Sequence, residues 1–257
     1  MPVIAVVSAK GGVGKTTMTA NLSLGFVQRG FSVLVLDLDP QNAIQWHMGG
    51  LPPDVVSGLS IIAEDRAPKL WDVAFSSALG VDFVPYGSAG EQQRIGFEQV
   101  LEQQAEWLLK SLKRAKLPKN TIVLLDTPPG PSAYLTQAMR AADFLLTVVL
   151  ADAASYATIP EMESLIAAHP NEAGVPVNSA YLVNQVSNSQ LSQDVVSLYK
   201  EQLGVRVVPI LIPESAQIEE ALAYERLVLD YEPESPAATA LQEVVDWLLL
   251  QLQVRAK

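Results

Sequence analysis

Nine consecutive residues, Ala9-Lys10-Gly11-Gly12-Val13-Gly14-Lys15-Thr16-Thr17, concentrate the chemistry of this 257-residue chain. They fall between an apolar run at 3–7 and a segment in which Met18, Leu22, Gly25 and Phe26 recur at helical spacing before Gly30 stops it. A glycine-rich turn between a strand and a helix aims successive backbone N–H groups at phosphate oxygens, and the helix N-terminus adds its positive dipole. In such a loop Lys15 reaches the β- and γ-phosphates of a nucleotide while the Thr16 hydroxyl ligates Mg²⁺. Ala9 stands where the strict motif has glycine. The Gly-Lys-Thr core and its strand-to-helix setting are intact, and a turn made by glycines alone would not account for Lys15 and two threonines opening a helix.

Carboxylates follow at two strand ends. Asp37-Leu38-Asp39-Pro40-Gln41 closes the apolar run at 33–36, and alternation along an extended chain lets only one of the two aspartates face the phosphates directly. The run at 122–125 ends in Asp126, followed by Thr127-Pro128-Pro129-Gly130. Four hydrophobic residues and an aspartate form the Walker B pattern, in which the carboxylate holds Mg²⁺ directly or through water. Asn184 follows the run at 180–183, and its amide has both the donor and the acceptor that adenine recognition needs. Other chemistries find no support. The chain has no cysteine, and His47 and His169, its only histidines, lack a metal-ligand spacing and read as surface or loop residues. Trp46, Trp71, Trp107 and Trp247 read as core or interface anchors.

Positioning these groups requires a sheet. Apolar runs of strand length at 3–7, 33–36, 81–84, 122–125, 144–150, 180–183 and 207–212 are mostly continuous rather than alternating, as in parallel strands covered on both faces. Helices are expected at 97–115, 132–141, 158–168, 189–203, 215–224 and 236–253. The alternation implies an α/β fold: a doubly wound, mostly parallel sheet with helices on both faces and a ligand site beyond the carboxyl ends of the strands. With no repeat or Gly/Ser linker, 1–257 reads as a single domain. Residues 42–80, with Pro52, Pro53 and Pro68, are expected to leave the sheet.

The formal charge is −11, and residues 151–257 carry −10 of it, which argues against indiscriminate nucleic-acid binding. The one dense basic stretch, Lys110, Lys113, Arg114, Lys116 and Lys119, is either the solvated end of a helix or a binding patch. No apolar run is long enough to span a bilayer, and a cytoplasmic protein is expected.

The order Lys-Gly-Gly-x-Gly-Lys-Thr-Thr resembles the deviant Walker A box of the ParA/MinD superfamily of P-loop ATPases, and the resemblance runs over nearly the whole chain. It implies ATP and Mg²⁺ as ligands and an ATP-dependent homodimer in which Lys10 reaches the partner's nucleotide. It further implies that Lys15 is catalytic, Asp39 orients the attacking water, Asp37 supports the magnesium shell beside Thr16 and Asp126, and Gly130 offers its N–H to the γ-phosphate. Asn184 would read the adenine edge, with Pro213 starting the segment that closes over the base; as an alternative, Asn184 is a turn residue and Pro213 a strand terminator. Quieter segments resemble the cellulose-biosynthesis branch (BcsQ/YhjQ-like): Val81-Asp82-Phe83-Val84-Pro85-Tyr86-Gly87, Leu182-Val183-Asn184 and Pro209-Ile210-Leu211-Ile212 leading to Glu219-Glu220-Ala221. That branch implies a regulator or scaffold in a cellulose secretion complex, recruited to the inner face of the membrane or the cell pole, touching membrane through its partners. Two alternatives remain: a partition or positioning ATPase acting on DNA or membrane, and a module that binds ATP with little turnover. The final helix carries Leu241, Val244, Val245, Leu248 and Leu252 on one stripe, with only Arg255 and Lys257 beyond it, so packing on the sheet is expected rather than membrane insertion.

Overall fold

The computed structural model describes residues 1–51, 57–62, 69–170 and 177–254. Pro52, Pro53, Pro68, Arg255 and Lys257 lie outside these. The described elements run β1 (Val3–Val7), α1 (Lys15–Gln28), β2 (Ser32–Asp37), α2 (Ile44–His47), α3 (Leu59–Ile62), β3 (Phe75–Ser76), β4 (Asp82–Val84), α4 (Glu91–Gln103), α5 (Trp107–Arg114) and β5 (Thr121–Asp126). They continue with α6 (Ala133–Ala141), β6 (Phe144–Leu150), α7 (Ala153–Tyr156), α8 (Ile159–Ala168), β7 (Asn178–Asn184), α9 (Gln190–Leu203), α10 (Ala216–Ala223), α11 (Val228–Tyr231) and α12 (Pro236–Gln251).

The strands form one sheet in the order β3-β4-β2-β5-β1-β6-β7, parallel except for the two-residue edge strand β3, which pairs antiparallel with β4. The expected doubly wound α/β sheet is therefore present. Its central strands are buried on both faces: Val3, Ala5 and Val7 of β1 pack into one hydrophobic layer with α4, α5, α6, α8 and α9, while Ile4 and Val6 pack into the other with α1, α11 and α12. Continuous hydrophobicity in these strands follows from that double cover. On α12, Leu241, Val244, Val245 and Leu248 are fully buried, as the stripe implied. Gly25 lets α1 approach this helix closely, since a Cβ there would stand 2.6 Å from a Val245 methyl.

Two expected elements differ. The run at 207–212 is not a sheet strand. It lies beside β7 through Val208 N–H to Tyr181 O and Ile212 N–H to Val183 O, with isolated bridges at Val207 and Pro213. Pro209 between them has no N–H to continue a ladder. The helix expected at 97–115 starts earlier and breaks into α4 and α5. The break is held by the buried Gln137 amide of α6, whose Nε2 donates to Leu101 O at 2.8 Å and Gln104 O at 2.7 Å while Oε1 accepts from Leu108 N–H at 3.0 Å. Among the described residues, no helix is long and apolar enough to cross a membrane.

Candidate nucleotide-binding site

The phosphate loop lies at the carboxyl end of β1, and α1 begins at Lys15. Gly12 and Gly14 adopt φ of 73° and 92°, a left-handed backbone that glycine takes without strain. At Gly14 the fit is also steric. An added Cβ would come within 2.6 Å of the Asn184 amide nitrogen. That nitrogen donates to Val13 O at 2.9 Å, so Asn184, at the end of β7, straps the loop from one side. Its Oδ1 is buried without a partner and is still owed a donor.

Asp126 closes β5 directly opposite Asp37 at the end of β2. Its Oδ2 accepts from the Thr16 hydroxyl at 2.7 Å and its Oδ1 from Thr19 Oγ1 at 3.3 Å. Burial raises the Asp126 carboxyl to about 7, against the opposing pull of the Thr16 bond and the Lys15 charge. Asp37 is pushed well above the usual carboxylate range, first by burial and then by Asp126. Its two oxygens accept from the backbone N–H groups of Asp39 and Ile44, so it ties the loop after β2 to the strand end. Asp39 itself is half-buried, accepts from Gln41 N–H at 2.9 Å, and is close enough to act electrostatically on Lys15, Asp37 and Asp126. Lys15 is buried, and that burial lowers its pKa against the raising influence of Asp126 and Asp39. The result is a cluster of buried Lys15, Asp37 and Asp126 with half-buried Asp39 at a single sheet end, poised for a ligand that carries its own charge.

Gly130, at φ 72°, donates its N–H to Ser8 O at 3.0 Å, which draws the loop after β5 against the phosphate loop. Lys10 stands partly exposed, its Nζ 3.2 Å from Asp152 Oδ2. Gly11 and Gly12 are exposed, and Thr17 opens toward a separate pocket of about 140 Å³. That pocket is lined by Gly14, Thr17 and Asn184 on one side and by Pro213, Ile218 and Glu219 on the other. The sequence-derived candidates thus converge on one sheet end. Three groups that touch them were not foreseen: Thr19, Asn21 and Asp152. Thr19 and Asn21 are polar residues on the buried side of α1, and Asp152 follows β6 much as Asp126 ends β5, so both signals were present in the sequence. His47, read as a surface or loop residue, is buried.

The donor set suits Mg²⁺. Thr16 Oγ1 and Asp126 offer hard oxygens, and among the described residues no group of three or more His, Cys, Asp or Glu could hold a metal alone. A cation here would need phosphate and water to complete its shell, which is how Mg²⁺ ordinarily binds.

The family model described as cellulose biosynthesis protein BcsQ matches residues 1–249. The chain belongs to the BcsQ family. BcsQ of Salmonella typhimurium is 24% identical to it, over 97% of this chain and 95% of that protein. An uncharacterized ATP-binding protein of Methanocaldococcus jannaschii is 29% identical, over 96% of this chain and 87% of that one. The sporulation initiation inhibitor protein Soj of Bacillus subtilis is 24% identical, over 92% and 93%. Beyond this BcsQ-family match, the fold is shared with the septum site-determining protein MinD of Pyrococcus horikoshii in complex with Mg-ADP (TM-score 0.74, 22% identity, 98% of both chains). It is also shared with cobyrinic acid a,c-diamide synthase of Mycobacterium smegmatis holding an ATP analogue and magnesium (TM-score 0.79, 19% identity, 98% of this chain and 96% of that one). The expected resemblance to the ParA/MinD superfamily and its BcsQ branch is therefore borne out.

Proposed function

We propose that the chain is a Mg²⁺-dependent ATPase that dimerises around two ATP molecules and serves a bacterial cellulose-secretion machine from the cytoplasmic side. The observation that carries this reading is the placement of buried Lys15 and Asp126 with half-buried Thr16 beneath a loop whose Gly12 and Gly14 are left-handed. Loop N–H groups and Lys15 bind the phosphates. Thr16 and Asp126 hold Mg²⁺, which when bound supplies charge neutralisation between the phosphate oxygens. Asp37 supports that shell by fixing the loop that carries Asp39, and Asp39 orients the attacking water. Gly130 exchanges Ser8 O for a γ-phosphate oxygen as its acceptor. The orphan Asn184 Oδ1 accepts from the adenine amino group, with Pro213 beginning the wall over the base.

Lys10 is the residue that makes the switch dimeric. It is held by an ion pair whose members are 35% and 41% exposed, and a pair of that kind contributes only about 0–1 kcal/mol. It can leave Asp152 at little cost to reach a partner's phosphates. The BcsQ family match favours cellulose secretion as the output, with recruitment to the membrane face or pole through a partner. In Lys10→Ala, ATP still binds, ATP-dependent dimerisation measured by light scattering disappears, and phosphate release falls by about 10³-fold or more, as for a cation supplied in trans. Retained dimerisation and turnover would overturn the two-fold mechanism.

A further inference from the structure

One buried amide on α1 lies outside every role given so far. Asn21 is 2% exposed. Its Nδ2 donates to Thr17 O at 2.9 Å, and its Oδ1 accepts from Val228 N–H at 2.9 Å. A backbone N–H on one side and a carbonyl on the other leave a single sensible orientation of the amide.

What these two bonds join matters. Thr17 lines the inner side of the 140 Å³ pocket, and the outer wall is supplied by the segment 213–222 through Pro213, Ile218 and Glu219. Most of that wall is α10, in which Ala221 is the sole buried residue. A helix with one buried side chain is held chiefly by its two ends. The upstream end is fastened to the chain after β7 by Glu214 N–H to Val186 O at 3.1 Å. The downstream end enters α11 at Leu227 and Val228, both buried, and the bond from Val228 to Asn21 fastens it to the helix that carries the phosphate loop.

We infer that Asn21 is a positioning residue for the nucleotide base: through Val228 it sets the separation between the pocket's outer wall and Thr17. The inference rests on the nucleotide reading above. It separates two parts of the binding energy, because the phosphates meet groups on the inner side only, whereas the base is enclosed by the segment that Asn21 anchors.

The test uses the full chain, with Mg·ATP and Mg·tripolyphosphate titrated calorimetrically into wild type, Asn21→Ala, Val228→Pro and the double variant. Val228 is the first residue of α11, and Leu227 before it is extended at φ −92°, ψ 143°. Proline suits that position and removes the N–H, together with the buried valine methyls, while leaving α1 untouched. If Asn21→Ala fails to fold, Val228→Pro carries the test alone. Each single variant weakens ATP by about tenfold, the worth of one buried hydrogen bond, and leaves tripolyphosphate within about twofold of wild type. The double variant is no weaker than Asn21→Ala alone, because the bond that Val228→Pro removes is already gone there. An equal loss for both ligands, or unchanged ATP affinity, overturns the role of Asn21 while leaving the nucleotide reading standing. Wild type that binds neither ligand overturns the nucleotide reading and this inference together.

Discussion

His47 shows how far a side chain's environment can move its chemistry. It closes α2, the short helix whose first N–H binds Asp37, and only 5% of it is exposed. Burial lowers its pKa from 6.5 to about 4. The folded state therefore disfavours the imidazolium that the unfolded chain accepts freely. The stability tied to neutral His47 is complete above pH 6.5 and is lost as pH falls toward 4, at about 1.4 kcal/mol per pH unit, or roughly 3 kcal/mol in all. Asp37 and Asp126 act in the opposite sense, since their raised pKa values favour the folded state as pH falls. The difference between two proteins isolates the histidine. Urea unfolding of wild type and His47→Phe from pH 7.5 to 4 is expected to show the variant gaining on wild type across that window, and parallel curves would contradict it. The sequence did not announce this burial, because a histidine in a Pro-rich irregular stretch looks like any loop residue. The phosphate loop and Asp126 were legible for the converse reason: their chemistry is written in contiguous residues.

Among the elements, legibility followed the same division between local and distant causes. Strands β1, β5 and β6 could be read because each holds a dense apolar run, at 3–7, 122–125 and 144–150, bounded by turns. The α4–α5 break could not, since 97–115 contains no Gly or Pro and its cause is Gln137, on a helix beyond β5. At 207–212 the cause was local, and Pro209 marked it. Replacing Gln137 with Leu keeps the volume and removes all three bonds. Leu101 O and Leu108 N–H then lose these partners at the break, while Gln104 O keeps the Trp107 N–H at 2.9 Å. Each such group costs about 1–3 kcal/mol, partly relieved if α4 and α5 rejoin into one helix. The expected outcome for Gln137→Leu is a loss of about 2–4 kcal/mol in chemical unfolding, and a change below about 0.5 kcal/mol would show that the amide does not hold the break.

Charge belongs to the whole molecule, and it bears on the partner more than on the fold. Residues 151–257 hold −10 of the −11, and dimerisation would double the total. Among the described residues, several of the cations are paired with acids: Arg29 with Asp246, Arg94 with Glu98, Lys110 with Glu106, Arg206 with Glu163 and Arg226 with Asp230. The dense basic stretch ends α5 just before β5 begins, so it sits at the opposite end of the sheet from the phosphate loop. A surface that switches its DNA affinity with ATP would need its cations near the nucleotide and the dimer it controls. DNA binding also scales with the number of phosphates neutralised, falling with salt at a slope of about −0.9 per contact. With acid predominating, this chain has few contacts to offer. In Mg·ATP and salt near the physiological level, its affinity for duplex DNA is expected to be no tighter than about 10⁻⁴ M and to change little between the ATP and ADP forms. Fluorescence anisotropy on a salt series checks this. A steep, ATP-dependent slope that vanishes when Lys113, Lys116 and Lys119 are changed to Glu would make the α5 end a nucleic-acid surface and replace the proposed secretion output with partition.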